Sequence, residues 1–353
     1  MSFSKNIKLK NHYIGKDFEP FIIAEVSANH NGSLERMIKI VDAAAEIGAH
    51  AIKLQTYTAD TMTLNSKDKN FLLKTPDKKW NKMSYYELYQ KASTPWSWHK
   101  EIFKRCREKG IICFSTPFDK SAVDFLEELN TPAYKIASFE NVDTKLIEYI
   151  ASKKKPIIMS TGMATINELY ESVKIIENAG CKDLILLKCT STYPANAANC
   201  NISTIPHMQD LFNIQVGLSD HTLGTGVALA SIAFGATVIE KHFTLLRDDG
   251  GFDAEFSLEK NEMKNLIVES KRAWKSLGCI FYGAFEDEKK SLESRRSLYI
   301  TEDMNSGDVF SELNLKSIRP GFGLSVKYYD IIIGKKINRN INKNTPLNWN
   351  MIG

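Results

Sequence analysis

Cysteine is scarce in this chain: six occur among 353 residues, at Cys106, Cys113, Cys181, Cys189, Cys200 and Cys279. None forms a C-x-x-C pair, so neither a zinc ribbon nor a thioredoxin-type redox site is indicated. Thiols kept reduced in the cytoplasm are the expectation. Charge of one sign is equally sparse. Lys plus Arg number 46 and Asp plus Glu 42, a net charge of +4, and the densest basic run is only Lys153–Lys155. With no concentrated basic stripe, neither nucleic acid nor a membrane surface is an expected partner. Long apolar runs do not occur either. The uncharged stretch Thr222–Ile239 is interrupted by Thr, Ser and Gly and reads as a buried helix and strand rather than a membrane span. The region of Lys5, Lys8, Lys10 and Lys16 carries no apolar signal-peptide core. What remains is 43% apolar and 25% charged, the balance of a globular protein with material for a large core. The length allows two or three domains, or one large domain with an appendage.

Short apolar runs recur and end in polar residues: Phe21–Ser27, Ala51–Thr56, Ile111–Thr116, Ala133–Ser138, Pro156–Thr161, Leu184–Thr190, Ile214–Ser219 and Thr237–Phe243. They mostly lack strict alternation, as buried parallel strands do. Amphipathic helical patterns lie between them at Leu34–Ile47, Trp98–Lys109, Ser121–Leu129, Asp143–Ser152, Ile166–Ala179 and Gly226–Phe234. Several stop at a glycine, which satisfies the left-handed turn past a helix end. Repeated strand–helix units predict an α/β fold, a (β/α)8 TIM barrel of the usual size of about 250 residues. An open doubly wound sheet is the second choice, but no G-x-G-x-x-G follows the first strand. Ala51 and Ile111 are 60 positions apart where other strand starts are 22 to 30 apart. Tyr57–Pro95 is therefore an insertion on the face where barrel active sites lie, with Trp80, Tyr85, Tyr86 and Tyr89 available to wall a pocket.

The barrel pattern closes with a helix over Lys260–Leu277, giving a first domain over 1–284. The charged stretch 285–293 reads as a linker, and 294–353 as a small, irregular, β-rich domain with little core of its own. Within it Asp303–Leu315 loosely echoes Asn340–Ile352, setting Gly307 opposite Asn344; both residue types tolerate left-handed backbone.

Catalytic groups of a barrel project from the carboxyl ends of its strands. Here those ends carry Glu25, Ser27 and Asn29; Lys53 and Gln55; Thr116; Lys135, Ser138 and Glu140; Ser160; Lys188 and Ser191; Ser219, Asp220 and His221; and Glu240, Lys241 and His242. Burying an ammonium is costly, so lysines inside strand runs either turn outward and snorkel to solvent or serve an anion. Ammonium groups and clustered hydroxyls suit a small phosphorylated anion. His221 and His242 end consecutive strands, about 4.8 Å apart in a sheet, so the two rings either pack as core or share one ion with positions left open for substrate. Glu25 reads as a salt-bridged carboxylate or a general acid/base. Arg319 by itself reads as a surface arginine, and Cys113 and Cys189 as buried small apolar residues.

These motifs resemble those of the sialic acid synthase family, which condenses phosphoenolpyruvate with an amino-sugar aldehyde. The likeness covers nearly the whole chain: Phe21–Gly32 (FIIAEVSANHNG), Lys53–Tyr57 (KLQTY), Phe114–Phe118 (FSTPF), Tyr134–Glu140 (YKIASFE), Ser160–Met163 (STGM), Cys189–Pro194 (CTSTYP), Gly217–Thr222 (GLSDHT), Glu240–Phe243 (EKHF) and Arg319–Gly323 (RPGFG). The resemblance implies a barrel followed by an antifreeze-like (SAF) domain. It implies that His221 and His242 hold a divalent metal, Mn2+ first and Mg2+ or Co2+ as alternatives. It implies that Lys53, Thr116, Lys135, Ser138, Ser160, Ser191 and Ser219 hold phosphoenolpyruvate. Gln55, Glu140, Tyr193 and Asp253 match positions lining the sugar site, and Glu25 matches the acid/base. Arg319 matches an arginine that reaches a partner's barrel in a domain-swapped homodimer. Ser191 stands where several members have asparagine. Phe139, together with Tyr57–Thr63, Gly250–Leu258 and Ser317–Leu324, resembles the pseudaminic branch of the family, with the N-acetylneuraminate and legionaminate branches as alternatives. Two rivals stand further off: an aldolase, of the metal-dependent or the Schiff-base type, the latter needing one reactive lysine, and a non-catalytic sugar-binding barrel, whose polar strand ends should be eroded.

Overall fold

The computed structural model of the chain describes residues 3–74 and 83–353. The chain divides into two compact units, Met1–Gly278 and Cys279–Gly353. In the first, β3 (Phe21–Glu25), β4 (Ala51–Thr56), β5 (Ile112–Pro117), β6 (Tyr134–Ile136), β7 (Ile157–Ser160), β8 (Leu184–Cys189), β9 (Gln215–Asp220) and β10 (Val238–His242) form a closed barrel in sequence order, with β10 pairing back onto β3. All of its ladders are parallel. The eight expected apolar runs are the eight staves, with ends shifted by a residue or two.

Two apolar layers explain why those runs show so little alternation. Outward residues such as Ile22, Ile52, Ile136, Met159, Leu186 and Leu218 pack against the helices. Inward residues such as Phe21, Ile23, Ala51, Phe114, Ile158, Leu187 and Val238 fill the barrel. Both faces are buried, so both are apolar. At the amino end the short hairpin of β1 (Ile7–Leu9) and β2 (His12–Ile14) adds Ile7, Leu9 and Ile14 to the inner layer and plugs the barrel floor. The sequence reading places no element there, because three-residue strands carry almost no periodic signal.

The surrounding helices are capped by their own side chains. Ser33 accepts from the Arg36 N–H at 3.1 Å, Asp119 caps Lys120–Glu128, and Thr165 forms a reciprocal capping box with Glu168 before Ile166–Asn178. Helix Thr204–Phe212 after β8 is absent from the sequence reading. Pro206 sits in its first turn, where a missing N–H costs nothing, and it stops at Asn213 with φ of 52° instead of at a glycine. The insertion contains helices Ala59–Met62 and Tyr85–Ala92. Its Tyr89 meets Tyr57 edge-on at 5.7 Å; Trp80 lies outside the described residues.

In the second unit the charged stretch winds as a 3₁₀ helix, Glu286–Ser294. Beyond it β11 (Ser297–Ile300) pairs antiparallel with β12 (Leu315–Ile318) and β13 (Thr345–Pro346). The unit has a core of its own, in which Leu298, Ile300, Phe310, Leu315, Ile332 and Leu347 are fully buried. The internal echo is real in the backbone: Met304 bridges Ile341, and Gly307 and Asn344 both take positive φ, 94° and 68°.

Candidate active site

Inward parity on the barrel strands continues past the apolar layer into polar residues at the carboxyl ends. Glu25 follows Phe21 and Ile23, Lys53 and Gln55 follow Ala51, and Thr116 follows Phe114. Lys135 follows Ala133, Ser160 follows Ile158, and Glu240 and His242 follow Val238. The strand-end lysines accordingly divide. Lys53 and Lys135 turn into the barrel, while Lys188 and Lys241, of the other parity, turn toward the helices.

Inside, Lys53 Nζ lies 2.8 Å from Glu25 Oε2 and 3.2 Å from Glu240 Oε1, with all three side chains at most 5% exposed. Lys135 Nζ donates to Ser160 Oγ at 2.7 Å and stands 3.9 Å from the same Glu240 oxygen. Ser219 Oγ donates to Glu240 Oε1 at 3.2 Å. Two cations and two carboxylates thus share one buried nest. Burial raises Glu25 above the ordinary carboxylate value although Lys53 pulls the other way. Burial also opposes charge on Glu240, but Lys135 and Lys53 outweigh it and hold the group low. Lys53 stays above its usual value because Glu240 and Glu25 overcome its desolvation. Lys135 does not: burial pushes it down to about 8.

Beside this nest Ser191 Oγ donates to Ser138 Oγ at 2.8 Å. Gly162 folds over the pair with φ of 50°, and a Cβ there would overlap Ser138 and come within 2.9 Å of Ser191 Oγ. Thr116 Oγ1 is buried with no hydrogen-bond partner among the described residues. Hydroxyls at neighbouring strand ends, one of them without a partner and two closed over by a glycine, beside two buried ammonium groups have the chemistry of an anion site. The structure joins Lys53, Lys135, Ser160 and Ser219 through Glu240 and each other and pairs Ser138 with Ser191, while Thr116 ends the inward run of β5.

His221 and His242 face each other with ring centroids 5.3 Å apart. His221 Nδ1 donates to the Thr190 carbonyl at 3.0 Å, which leaves the lone pair on Nε2. Nδ1 of buried His242 has no partner among the described residues, and burial drives its pKa well below the ordinary histidine value. Burial opposes charge on His221, but Cys189 and the Thr190 carbonyl hold it above the ordinary histidine value; Nε2 of His221, once that ring is unprotonated, and the free Nδ1 of His242 fit a divalent cation. Among the described residues no group of three or more His, Cys, Asp or Glu side chains could hold a metal alone, so the donor set suits an open site completed by water or substrate. Cys189 is buried and free, as expected. Its Sγ lies 3.9 Å from His221 Nδ1, and although burial raises the thiol, His221 more than offsets that and holds it below its ordinary value.

Toward solvent, Gln55 Nε2 donates to Ser27 Oγ at 3.0 Å and Glu25 Oε1 at 3.3 Å. Tyr193 lies against His221 at 4.4 Å between centroids. Phe256, unremarked in the sequence, packs on His242 at 4.8 Å and Tyr193 at 5.5 Å. Asp253 Oδ2 accepts from the Ala28 N–H at 3.4 Å. Burial pushes Glu140 up to about 7. Phe139 stands 57% exposed beside it. Arg319 belongs to the second unit, where it is exposed. Glu240 is the one central residue to which the motifs gave no role. Its place two residues before His242, on the same parity, is the signal that marks it.

The NeuB family model matches residues 40–281, and the SAF domain model matches 295–353. The chain belongs to the NeuB family. Among curated members, the pseudaminic acid synthase of Campylobacter jejuni is 45% identical over 92% of this chain and 94% of its own, and that of Helicobacter pylori 41% identical over 93% and 96%. The N,N'-diacetyllegionaminic acid synthase of Campylobacter jejuni is 36% identical over 90% and 96%. Among solved NeuB-like structures, the N-acetylneuraminic acid synthetase of Leptospira borgpetersenii, in complex with citrate, superposes with a TM-score of 0.73 at 31% identity, covering 83% of this chain and 96% of that one. Members of this family named as synthases make nonulosonic acids, and this chain is an enzyme of that class. Among its described residues no helix is long and apolar enough to cross a membrane.

Proposed function

We propose that this NeuB-family enzyme condenses phosphoenolpyruvate with 2,4-diacetamido-2,4,6-trideoxy-L-altrose, giving pseudaminic acid and phosphate. Carbon three of phosphoenolpyruvate bonds to the aldehyde carbon, water adds at carbon two, and phosphate leaves by C–O cleavage. The observation that carries this reading is the buried nest in which Lys53 and Lys135 share Glu240 and Lys135 bonds Ser160, with the Ser138–Ser191 pair closed over by Gly162 at the ends of neighbouring strands. Lys53 and Lys135 neutralise the carboxylate and phosphate. Ser138, Ser160, Ser191, Ser219 and Thr116 fix the oxygens. Glu25, uncharged more readily than an ordinary carboxylate, exchanges protons with the sugar as its ring opens. Gln55, Glu140, Tyr193 and Asp253 line the sugar, and the exposed Phe139 beside Glu140 offers a 6-deoxy methyl an apolar neighbour.

His221 and His242 would hold a divalent cation, Mn2+ before Mg2+ or Co2+, and such an ion supplies Lewis-acid polarisation of the aldehyde oxygen. Arg319 of a second copy completes the sugar site in a domain-swapped homodimer working in the cytoplasm.

The test is phosphate release from phosphoenolpyruvate against a panel of amino sugars, with and without chelator and added Mn2+. Fastest turnover with the diacetamido trideoxy-altrose and loss on chelation are expected. Faster turnover of N-acetylmannosamine would overturn the sugar assignment, and oxygen-18 from water appearing in phosphate instead of product would overturn C–O cleavage.

A further inference from the structure

Asp220 and Lys241 each immediately precede one of the two histidines and are register partners on β9 and β10. Packing fixes their parity. Val216, Leu218, Ile239 and Phe243, on the same faces, belong to the apolar layer between barrel and helices. Asp220 and Lys241 therefore place full charges in an aliphatic layer, level with the histidines that face inward. Lys241 Nζ meets Asp220 Oδ2 at 2.7 Å, with the side chains 0% and 1% exposed. Nζ also donates to the Thr222 carbonyl, while Asp220 Oδ1 accepts from the Thr222 N–H at 2.9 Å and its hydroxyl at 2.7 Å. The backbone on both sides of His221 is closed into a loop and fastened to the strand that carries His242.

Two aliphatic side chains would fill this layer at no electrostatic cost, because a buried ion pair returns little net stability over apolar residues of similar volume. What an apolar pair cannot supply is direction. A charge-assisted bond of fixed length, shared with both polar groups of the Thr222 backbone, sets the position of one strand end against the other. We infer that the Asp220–Lys241 pair is a positioning element for the divalent-cation site, holding His221 and His242 at the spacing that lets both rings serve one ion. The inference rests on the reading of those histidines as cation ligands.

The experiment uses the full-length protein with Mn2+ as probe. Free Mn2+ is measured by electron paramagnetic resonance, and backbone hydrogen exchange is measured in cation-free protein. The variants are the apolar replacement Asp220→Val with Lys241→Met and the isosteric Asp220→Asn. The expected result is a Mn2+ Kd at least tenfold weaker, together with faster exchange in the segments around His221 and His242 and unchanged exchange in β4 and β5. Folded variants whose Kd lies within twofold of the parent would overturn the inference. Should the double variant not fold, Asp220→Asn decides by the same two readouts. His221→Ala and His242→Ala separate the two readings. If they bind Mn2+ like the parent, the histidines are not its ligands and the reading beneath the inference fails with it; if they lose Mn2+ while the Asp220 and Lys241 variants bind it like the parent, the inference alone fails.

Discussion

Lys135 shows how one buried side chain can set a pH limit. Burial pushes it down to about 8, with the neighbouring Lys53 adding to the fall and Glu240 opposing it. Below that value the free enzyme presents an ammonium to the incoming anion; above it the group is neutral and the attraction is lost. The expected consequence is a kcat/KM for phosphoenolpyruvate that falls about tenfold per pH unit on the alkaline side of about 8, measured at saturating sugar. In Lys135→Arg the guanidinium stays charged, so that limb should vanish whatever the absolute rate; its persistence would place the titration elsewhere. Lys135 also shows what could be read from the sequence. A lysine within an apolar strand run was ambiguous between outward snorkelling and an inward charge, and single-residue parity decides it. Lys53 and Lys135 share parity with inner-layer residues, whereas Lys188 and Lys241 do not. Motif spacing alone does not state that parity for short runs buried on both faces, which is why Asp220 and Lys241 stood in the same strand-end set as the pocket residues.

At the scale of elements, the eight staves were legible because each is a continuous apolar run with a polar end. The helices between them were legible from their amphipathic spacing, with a glycine stop at Gly48, Gly110, Gly180 and Gly235 and without one after Leu129 and Ser152. Helix Thr204–Phe212 was not, since Pro206 looks like a breaker out of context. The β1–β2 hairpin was also missed, yet it has a clear physical task. The amino end of the barrel would otherwise open the inner layer to water, and Ile7, Leu9 and Ile14, at most 1% exposed, close it. Truncating Leu9 to Ala is therefore expected to cost about 2–5 kcal/mol in urea unfolding of the first unit. It should leave kcat and KM of the folded enzyme unchanged, because the hairpin lies at the end of the barrel opposite the polar nest. A loss of stability below about 0.5 kcal/mol, the range of ordinary surface substitutions, would show that the hairpin is an ornament and not a plug.

For the whole molecule, the second unit has a hydrophobic core of its own and carries the exposed Arg319 in Arg319-Pro320-Gly321-Phe322-Gly323, proposed above to serve the site of a second copy. That arrangement makes a quantitative prediction. In a mixed dimer of one His242→Ala chain and one Arg319→Ala chain, trans service gives one barrel both defects and the other barrel none. Service within one chain gives every barrel one defect. Co-expression of the two variants at equal levels yields mixed dimers as half the population, each with one intact site of two, so trans service restores about a quarter of the parental activity. Service within one chain restores nothing above the two single variants. Phosphate release from the unselected co-expressed protein reads the difference directly, rising to about half of the parental activity once mixed dimers are isolated by two tags, and an activity no higher than that of either variant alone would remove Arg319 from the partner's site.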